Sequence, residues 1–409
     1  MTLPSSETYD VAVLGGGSAG LAAAVSAARE GARTVLLERR GRLGGMGVDA
    51  QVHTFCGLFH PDVGRGPKWL NEGLPREIGE MLLERSGQSG PDMEGRVFVL
   101  RHQPTAFARL AMELCEREPQ LDLRLESKTG AVRREGELWT FDLGRGDGRW
   151  SVKCRALIDT TGDAEVAQSL GGAFVQTAPQ GRLYRPGFIA KWTGVASGLT
   201  DRDRLTISGE IVRGVREGAL PAAAMGATFR NSPEGGAVFV SLDLEAGAGD
   251  WNPLDADCVE AVKDEGRAIM TVLYQWLRES MTIFAQMTGP EFPERLGIRE
   301  SIRWRGDHVL TAAELTACAR FEDEVALAGW PLEKRETARG PRSEYFSRSE
   351  PAGIPARCLK NSELPGIFFA GRCLSCDHEA LASLRVMGTC LATGQAAGRM
   401  AAAYAEHGD

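Results

Sequence analysis

Three short apolar runs, each delivered into a glycine turn, punctuate the chain: Val11–Leu14 before Gly15, "ALIDTTG" before Gly162 and "GIFFAG" before Gly371. Unbroken β-branched and aliphatic runs of this length predict strands buried on both faces. The first run opens "YDVAVLGGGSAGLAAAVSAAREGARTVLLERR", in which an alanine-rich helix should continue through Glu30 and stop at Gly31. A second buried strand, Thr34–Leu37, then ends at Glu38. Alternation around Leu121–Glu126, Gly130–Arg134, Leu138–Leu143 and Trp150–Cys154 predicts a β-meander with glycine-rich turns. In the middle, Val259, Val262, Ile269, Leu273, Trp276 and Met281 recur at helical spacing behind Asp255, a suitable N-cap. That stripe suits core packing. The last segment, "LRVMGTCLATGQAAGRMAAAYAEHG", is rich in small residues and reads as helix to its end.

The first turn carries specific chemistry. Gly15, Gly17 and Gly20 have the G-x-G-x-x-G spacing, which serves a tight turn, backbone approach to a pyrophosphate and close helix–strand packing in that order. Ser18 and Ala19 begin the helix whose free N–H groups would meet the phosphates. Glu38 falls where a carboxylate accepts hydrogen bonds from ribose hydroxyls. Strand, turn, helix, strand and acid occur in the required order, so a dinucleotide site is expected here. No second such motif follows a strand later in the chain, which argues against a dedicated NAD(P)H domain.

Composition narrows the class. A chain of 409 residues, 43% apolar, can bury a large core and suggests two lobes. A net charge of −8 with scattered arginines excludes a basic nucleic-acid-binding stripe. No apolar stretch is long enough for membrane insertion, and the start lacks a secretory pattern. The nine cysteines therefore read as reduced thiols of a cytoplasmic protein. Cys373 and Cys376, in "FFAGRCLSCDHEA", could form half a zinc site, a redox pair or simple packing. No second pair supplies the remaining zinc ligands, so no metal is expected, and structural thiols are the preferred reading.

The stretch "ERRGRLGGMGVDAQVH" resembles the FAD-binding loop of glutathione-reductase-type flavoproteins, and "ALIDTTGD" resembles that family's second glycine motif. Phe368 to the end is similar to the FAD-oxidored family of FAD-dependent oxidoreductases, through "AGRC", "HEA", "RVM", "TC" and "GQAAG". The resemblance covers about the first 165 and the last 110 residues. It implies an α/β, Rossmann-like FAD-binding domain in two parts, 1–171 and 346–409, with an inserted α+β substrate domain at 172–345. It implies FAD contacts at Arg39, Arg42, Gly44, Gly45, Met46 and Gly47. Further contacts would come from Ala131 and Val132, from Thr161, Gly162 and Asp163, and from Gly371, Arg372, Arg385, Val386, Met387 and Gly388. Ala356 and Gly388 depart from the family, where an aromatic residue and proline are common.

Because flavin performs the redox step, the protein need add only orientation, a proton acceptor and electrostatics. His378, between the late glycine loop and the last helix, is the first candidate base, and His53 the second. Arg303 and Arg305 share one strand face; the family often has paired arginines here, suited to an anionic substrate group or reduced flavin, while a solvated face is the ordinary alternative. The leading expectation is oxidation or desaturation of a small organic substrate by hydride transfer to flavin, with O2 or another acceptor downstream. Alternatives are an NAD(P)H-fed monooxygenase or C=C reductase, a thiol-redox relay through Cys373 and Cys376, and a binding scaffold without turnover. Substrate identity and homo-oligomer formation stay open in the sequence.

Overall fold

The computed structural model describes residues 6–145, 148–179, 183–195, 198–246, 251–337 and 340–408. Its centre is an eight-stranded sheet. Ser6–Leu14 runs parallel to Thr34–Leu37 on one side and to Gly148–Asp159 on the other, with Leu14 opposite both Leu37 and Asp159. All of Val11–Leu14 is buried, as an unbroken apolar run requires.

The long strand Gly148–Asp159 joins two kinds of pairing. Gly148–Cys154 runs antiparallel to Leu138–Arg145, while Leu157–Asp159 pairs in parallel with Ile367–Phe369. The three strands that end in glycine turns therefore lie side by side and open at the same sheet edge. Leu121–Arg124 differs from the sequence expectation: it pairs in parallel with Thr34–Leu37 rather than opening the meander. The reason is the helix Pro104–Glu116, which makes the crossover into this strand. The antiparallel part is formed by Lys128–Thr129, Arg133–Glu135 and Leu138–Arg145 with the first half of Gly148–Asp159.

Helix Ser18–Arg29 has almost no exposed face, and the C-terminal helix Met387–His407 packs along it. A Cβ on Gly394 would lie 2.1 Å from the Ala19 carbonyl oxygen, and one on Gly398 would lie 2.3 Å from that of Ala23. The two helices thus touch backbone to backbone. Small residues are needed on both sides, which explains the composition of each.

A second, antiparallel sheet has the order Thr228–Asn231, Ala237–Asp243, Gly187–Thr193, Thr288–Glu291. Helices Asp201–Arg216 and Ala256–Ser280 share one core with it. The longer helix is the one expected behind Asp255, whose carboxylate accepts from the Asp257 and Cys258 N–H groups. Glu324–Ala328 pairs with Ala352–Pro355, so strand pairing runs across residue 345. Among the described residues, no helix is long and apolar enough to cross a membrane.

Gly398→Val should lower stability by about 1–3 kcal/mol, because backbone contact leaves no room for the branched side chain. A fall in the urea unfolding midpoint at unchanged slope would register it; an unchanged midpoint would contradict the close helix contact.

Candidate active site

The glycine turns open onto one elongated cavity of about 490 Å³ that passes from the first helix to the second sheet. At its near end, Gly15 has φ +102°, and a Cβ there would sit 2.7 Å from the Thr160 carbonyl oxygen. A Cβ on Gly20 would lie 1.7 Å from the Gly15 carbonyl oxygen, so glycine is what allows the helix to start this close to the strand. Gly17 is different: its missing side chain faces open space. The helix has no side-chain cap and no acidic residue in its first turn, which leaves its N–H groups and positive dipole end available to an anion. These features fit a pyrophosphate.

The Glu38 carboxylate lines this end and accepts from the Gly16 and Arg40 N–H groups at 2.7 and 2.9 Å. Lys128 and Thr129 line it as well, next to Arg39, which pairs with Glu165 at 2.9 Å. Arg372 donates to Ser301 Oγ at 2.9 Å and to Asp163 at 2.7 Å. Arg295 also lines the cavity and forms no ion pair among the described residues; burial, then Arg39 and Arg40, press its pKa down to about 10.

Gly44–Gly47 and Val386–Met387 line the middle, where helix Met387–His407 begins without a side-chain cap. Here a Cβ on Gly47 would lie 2.8 Å from the Met387 sulfur. Two uncapped helix starts therefore flank one channel, an arrangement that fits two electron-rich parts of an FAD, its central pyrophosphate and its flavin pyrimidine edge.

Beyond the middle lies a charged chamber. Arg230 grips Glu94 with two hydrogen bonds, 3.0 Å from Nε and 3.1 Å from Nη2. Asp243 is shared by Arg299 and Arg335, each at 2.7 Å, and Arg335 also holds Glu333 at 2.6 Å. Burial raises the pKa of Asp243, but Arg299 and Arg335 outweigh it and hold the carboxyl below its ordinary range. Arg385 is bound more loosely: Nη2 donates to the Glu333 carbonyl oxygen at 3.1 Å, and its guanidinium stands 5.6 Å from the Tyr184 ring centre.

His53 lines the same chamber and stacks on Phe239 at 4.1 Å. Its Nδ1 lies 3.2 Å from the Gln51 carbonyl oxygen, which can only accept, so Nδ1 carries the proton and Nε2 keeps its lone pair. Nε2 has no hydrogen-bond partner. Burial, reinforced by Arg230, holds the His53 pKa well below its ordinary value.

Of the residues expected from sequence, Gly15, Gly17–Ala19, Glu38, Arg39, Gly44–Gly47, Thr161, Gly162, Gly371, Arg372, Arg385–Met387 and His53 line the cavity. The others do not. Gly20 packs helix on strand, and Gly388 packs against Gly57, where a Cβ would meet its carbonyl carbon at 2.6 Å. Arg42 pairs with Asp49 and Glu294, both at 2.7 Å. Asp163 works behind Arg372. Ala131 is exposed and Val132 belongs to the core beneath the meander, so the residues facing the cavity are Ser127–Thr129 instead. His378 and Arg303 both bind the fully buried Glu300, at 2.9 and 2.6 Å. Helix His378–Leu384 turns the histidine under Tyr184, whose ring stacks on it at 4.5 Å. Cys373 and Cys376 are buried thiols outside the cavity lining, the first pushed far up and the second to about 12 by burial.

Two expectations follow from this geometry. Gly17→Val should change apoprotein stability by less than about 0.5 kcal/mol and weaken FAD binding at least about tenfold, because the added side chain fills only the cradle; urea unfolding of the apoprotein measures the first arm and calorimetric titration with FAD the second. His102, buried with Nε2 donating toward the Val52 carbonyl oxygen at 3.0 Å, has its pKa lowered from 6.5 to about 4 by burial. The unfolded chain thus takes up this proton first. Stability is whole above about pH 6.5 and should fall by on the order of 3 kcal/mol as pH drops toward 4. Urea titrations across that range should show the loss in the parent and its reduction in His102→Gln.

A family model described as FAD dependent oxidoreductase matches residues 10–409. An uncharacterized protein of Methanosarcina barkeri is 28% identical over 185 residues, covering 43% of this chain and 95% of that protein. Among solved structures, p-nitrophenol 4-monooxygenase from Pseudomonas putida aligns at 12% identity over 98% of this chain and 82% of its own, with TM-score 0.47. A geranylgeranyl bacteriochlorophyll reductase-like protein from Thermoplasma acidophilum aligns at 13% identity over 99% of this chain and 80% of its own, also at 0.47. Neither structural likeness bears on the reaction. The family match runs through both ends of the cavity and the lobe between them, and the chain belongs to the FAD dependent oxidoreductase family.

Proposed function

We propose that this FAD-dependent oxidoreductase oxidises a small organic substrate in the charged chamber, with His53 as proton acceptor. The observation that carries the reading is the state of that imidazole. Its tautomer is fixed by the Gln51 carbonyl, its ring lines the chamber, and its buried Nε2 has no hydrogen-bond partner among the described residues. Oxidation of an alcohol or amine carbon requires removal of a proton from the heteroatom, which a neutral imidazole accepts. Bound FAD supplies the two-electron acceptor.

The lobe proposed at 172–345 supplies Arg230, Arg299 and Arg335 to the chamber, with Asp243 holding the last two. His53, Cys56 and Glu94 come from the FAD domain, so the substrate would sit between the two. His378 and Arg303 are assigned a bracing role through Glu300. The thiol relay loses support from the burial and high pKa of Cys373 and Cys376.

Anaerobic titration of the holoenzyme with alcohols, amines and hydroxy or amino acids tests the reading. Bleaching of the visible flavin band by a member of the panel supports it; bleaching by NADPH alone would replace it with the monooxygenase or reductase alternative. His53→Gln should lower turnover by about 10²–10⁴-fold while leaving flavin content and spectrum intact. Unimpaired turnover in that variant would remove His53 from the chemistry.

A further inference from the structure

We infer that the substrate carries a carboxylate and that Arg385 and Trp330 bind it. The inference rests on the chamber being the substrate site proposed above. Four guanidinium groups (Arg230, Arg299, Arg335 and Arg385) line it with the carboxylates Glu94 and Glu333, and a third carboxylate, Asp243, holds Arg299 and Arg335 from outside the lining. Arg101, behind Glu94, is balanced by Asp92 at 3.2 Å. One positive charge is left over.

The hydrogen-bond geometry says which. Arg230, Arg299 and Arg335 each hold a carboxylate directly, whereas Arg385 has no ion pair among the described residues and its Nε–H has no partner. Burial lowers the pKa of Arg385 despite nearby Glu333, as expected of a cation without a direct counterion. Trp330, 6% exposed, lines the same cavity, and its buried Nε1–H is also without a partner among the described residues. An indole N–H can only donate, so two unused donors await an acceptor.

Their proximity follows from the chain. Ser383 donates to the Trp330 carbonyl oxygen and Arg385 to the Glu333 carbonyl oxygen, which ties the Trp330–Glu333 segment to the end of helix His378–Leu384. Trp330 also packs with Cys56 and Val386. Val386 directly follows Arg385 and precedes Met387 at the start of the last helix, so this wall adjoins the flavin end. A single-charge acceptor neutralises the excess cation and satisfies both donors. A dianionic phosphate would leave an excess negative charge beside Glu94 and Glu333. A carboxylate therefore fits best.

Isothermal titration of the holoenzyme with acetate, propionate and benzoate, against acetamide, propionamide and benzamide, tests the site without requiring turnover. At least one acid should bind about 10–100-fold more tightly than its amide in the parent. Arg385→Met should erase that preference and Arg385→Lys restore part of it. Trp330→Phe keeps an aromatic side chain but removes the N–H, and should weaken the acid about threefold to tenfold while leaving the amide unchanged. Amides that bind as tightly as acids, acids that all fail to bind, or a full preference surviving in both Arg385→Met and Trp330→Phe would overturn the inference. An intact preference in His53→Gln that also turns over normally supports the carboxylate site and removes only the proton-acceptor assignment.

Discussion

The backbone contact between helices Ser18–Arg29 and Met387–His407 is the constraint on which the rest depends. Gly394 and Gly398 let the last helix lie directly on Ala19 and Ala23, so segments nearly four hundred residues apart fix one another. Both helices start at the cavity, one beside Gly17 and the other beside Val386. Their relative position sets the distance between the Gly17 turn and the Val386 turn along the cavity. The same closeness reaches the late glycine turn, where a Cβ on Gly371 would lie 2.7 Å from the Ala19 Cβ. A cofactor of fixed length needs a cradle of fixed length, and methyl-free backbone contact is a stiff way to provide one.

Electrostatics follow from that placement. Two uncapped helix starts present positive dipole ends to the channel, and Arg295, Arg372 and Arg385 add full charges along it. The chain opposes this field selectively. Carboxylates neutralise the arginines that build the walls, through Glu94–Arg230 and the Asp243–Arg299–Arg335 cluster. Among the described residues, Arg295 and Arg385 have no such ion-pair partner. Paired arginines give rigidity, and the two without a carboxylate partner among the described residues leave positive charge on the cavity wall.

What the sequence disclosed depends on how local each cause is. Gly15, Gly17, Gly20 and Glu38 act within one βαβ unit, and their roles could be read from spacing alone. Asp255 as an N-cap is equally local. The crossover helix Pro104–Glu116 was not assigned, and without it Leu121–Arg124 looked like part of the meander. The chamber was invisible for a different reason: Glu94 meets Arg230 across 136 residues, and Asp243 meets Arg299 across 56. No periodicity marks such pairs. His378 and Arg303 failed as cavity residues because nearness in sequence to a cofactor loop fixes position but not direction. At the adenosine end, the short strands left Ala131 and Val132 only a few residues beyond the Ser127–Thr129 segment that lines the cavity.

The buried Glu300 cluster shows what those two residues do instead. A carboxylate with no exposure is tolerated only when fully bonded, and Arg303, His378 and the Tyr184 N–H share that task. The Tyr184 hydroxyl donates to the His378 carbonyl oxygen at 3.2 Å, and its ring rests on the imidazole. Arg385 in turn stands 5.6 Å from the centre of that ring and is held by the Glu333 carbonyl. Removing Glu300 would strand Arg303 as an uncompensated buried charge and loosen Tyr184 beneath Arg385. The ionic cluster thus gives direction to a cation it never touches, which is how charged residues outside a site come to shape the binding chemistry within it.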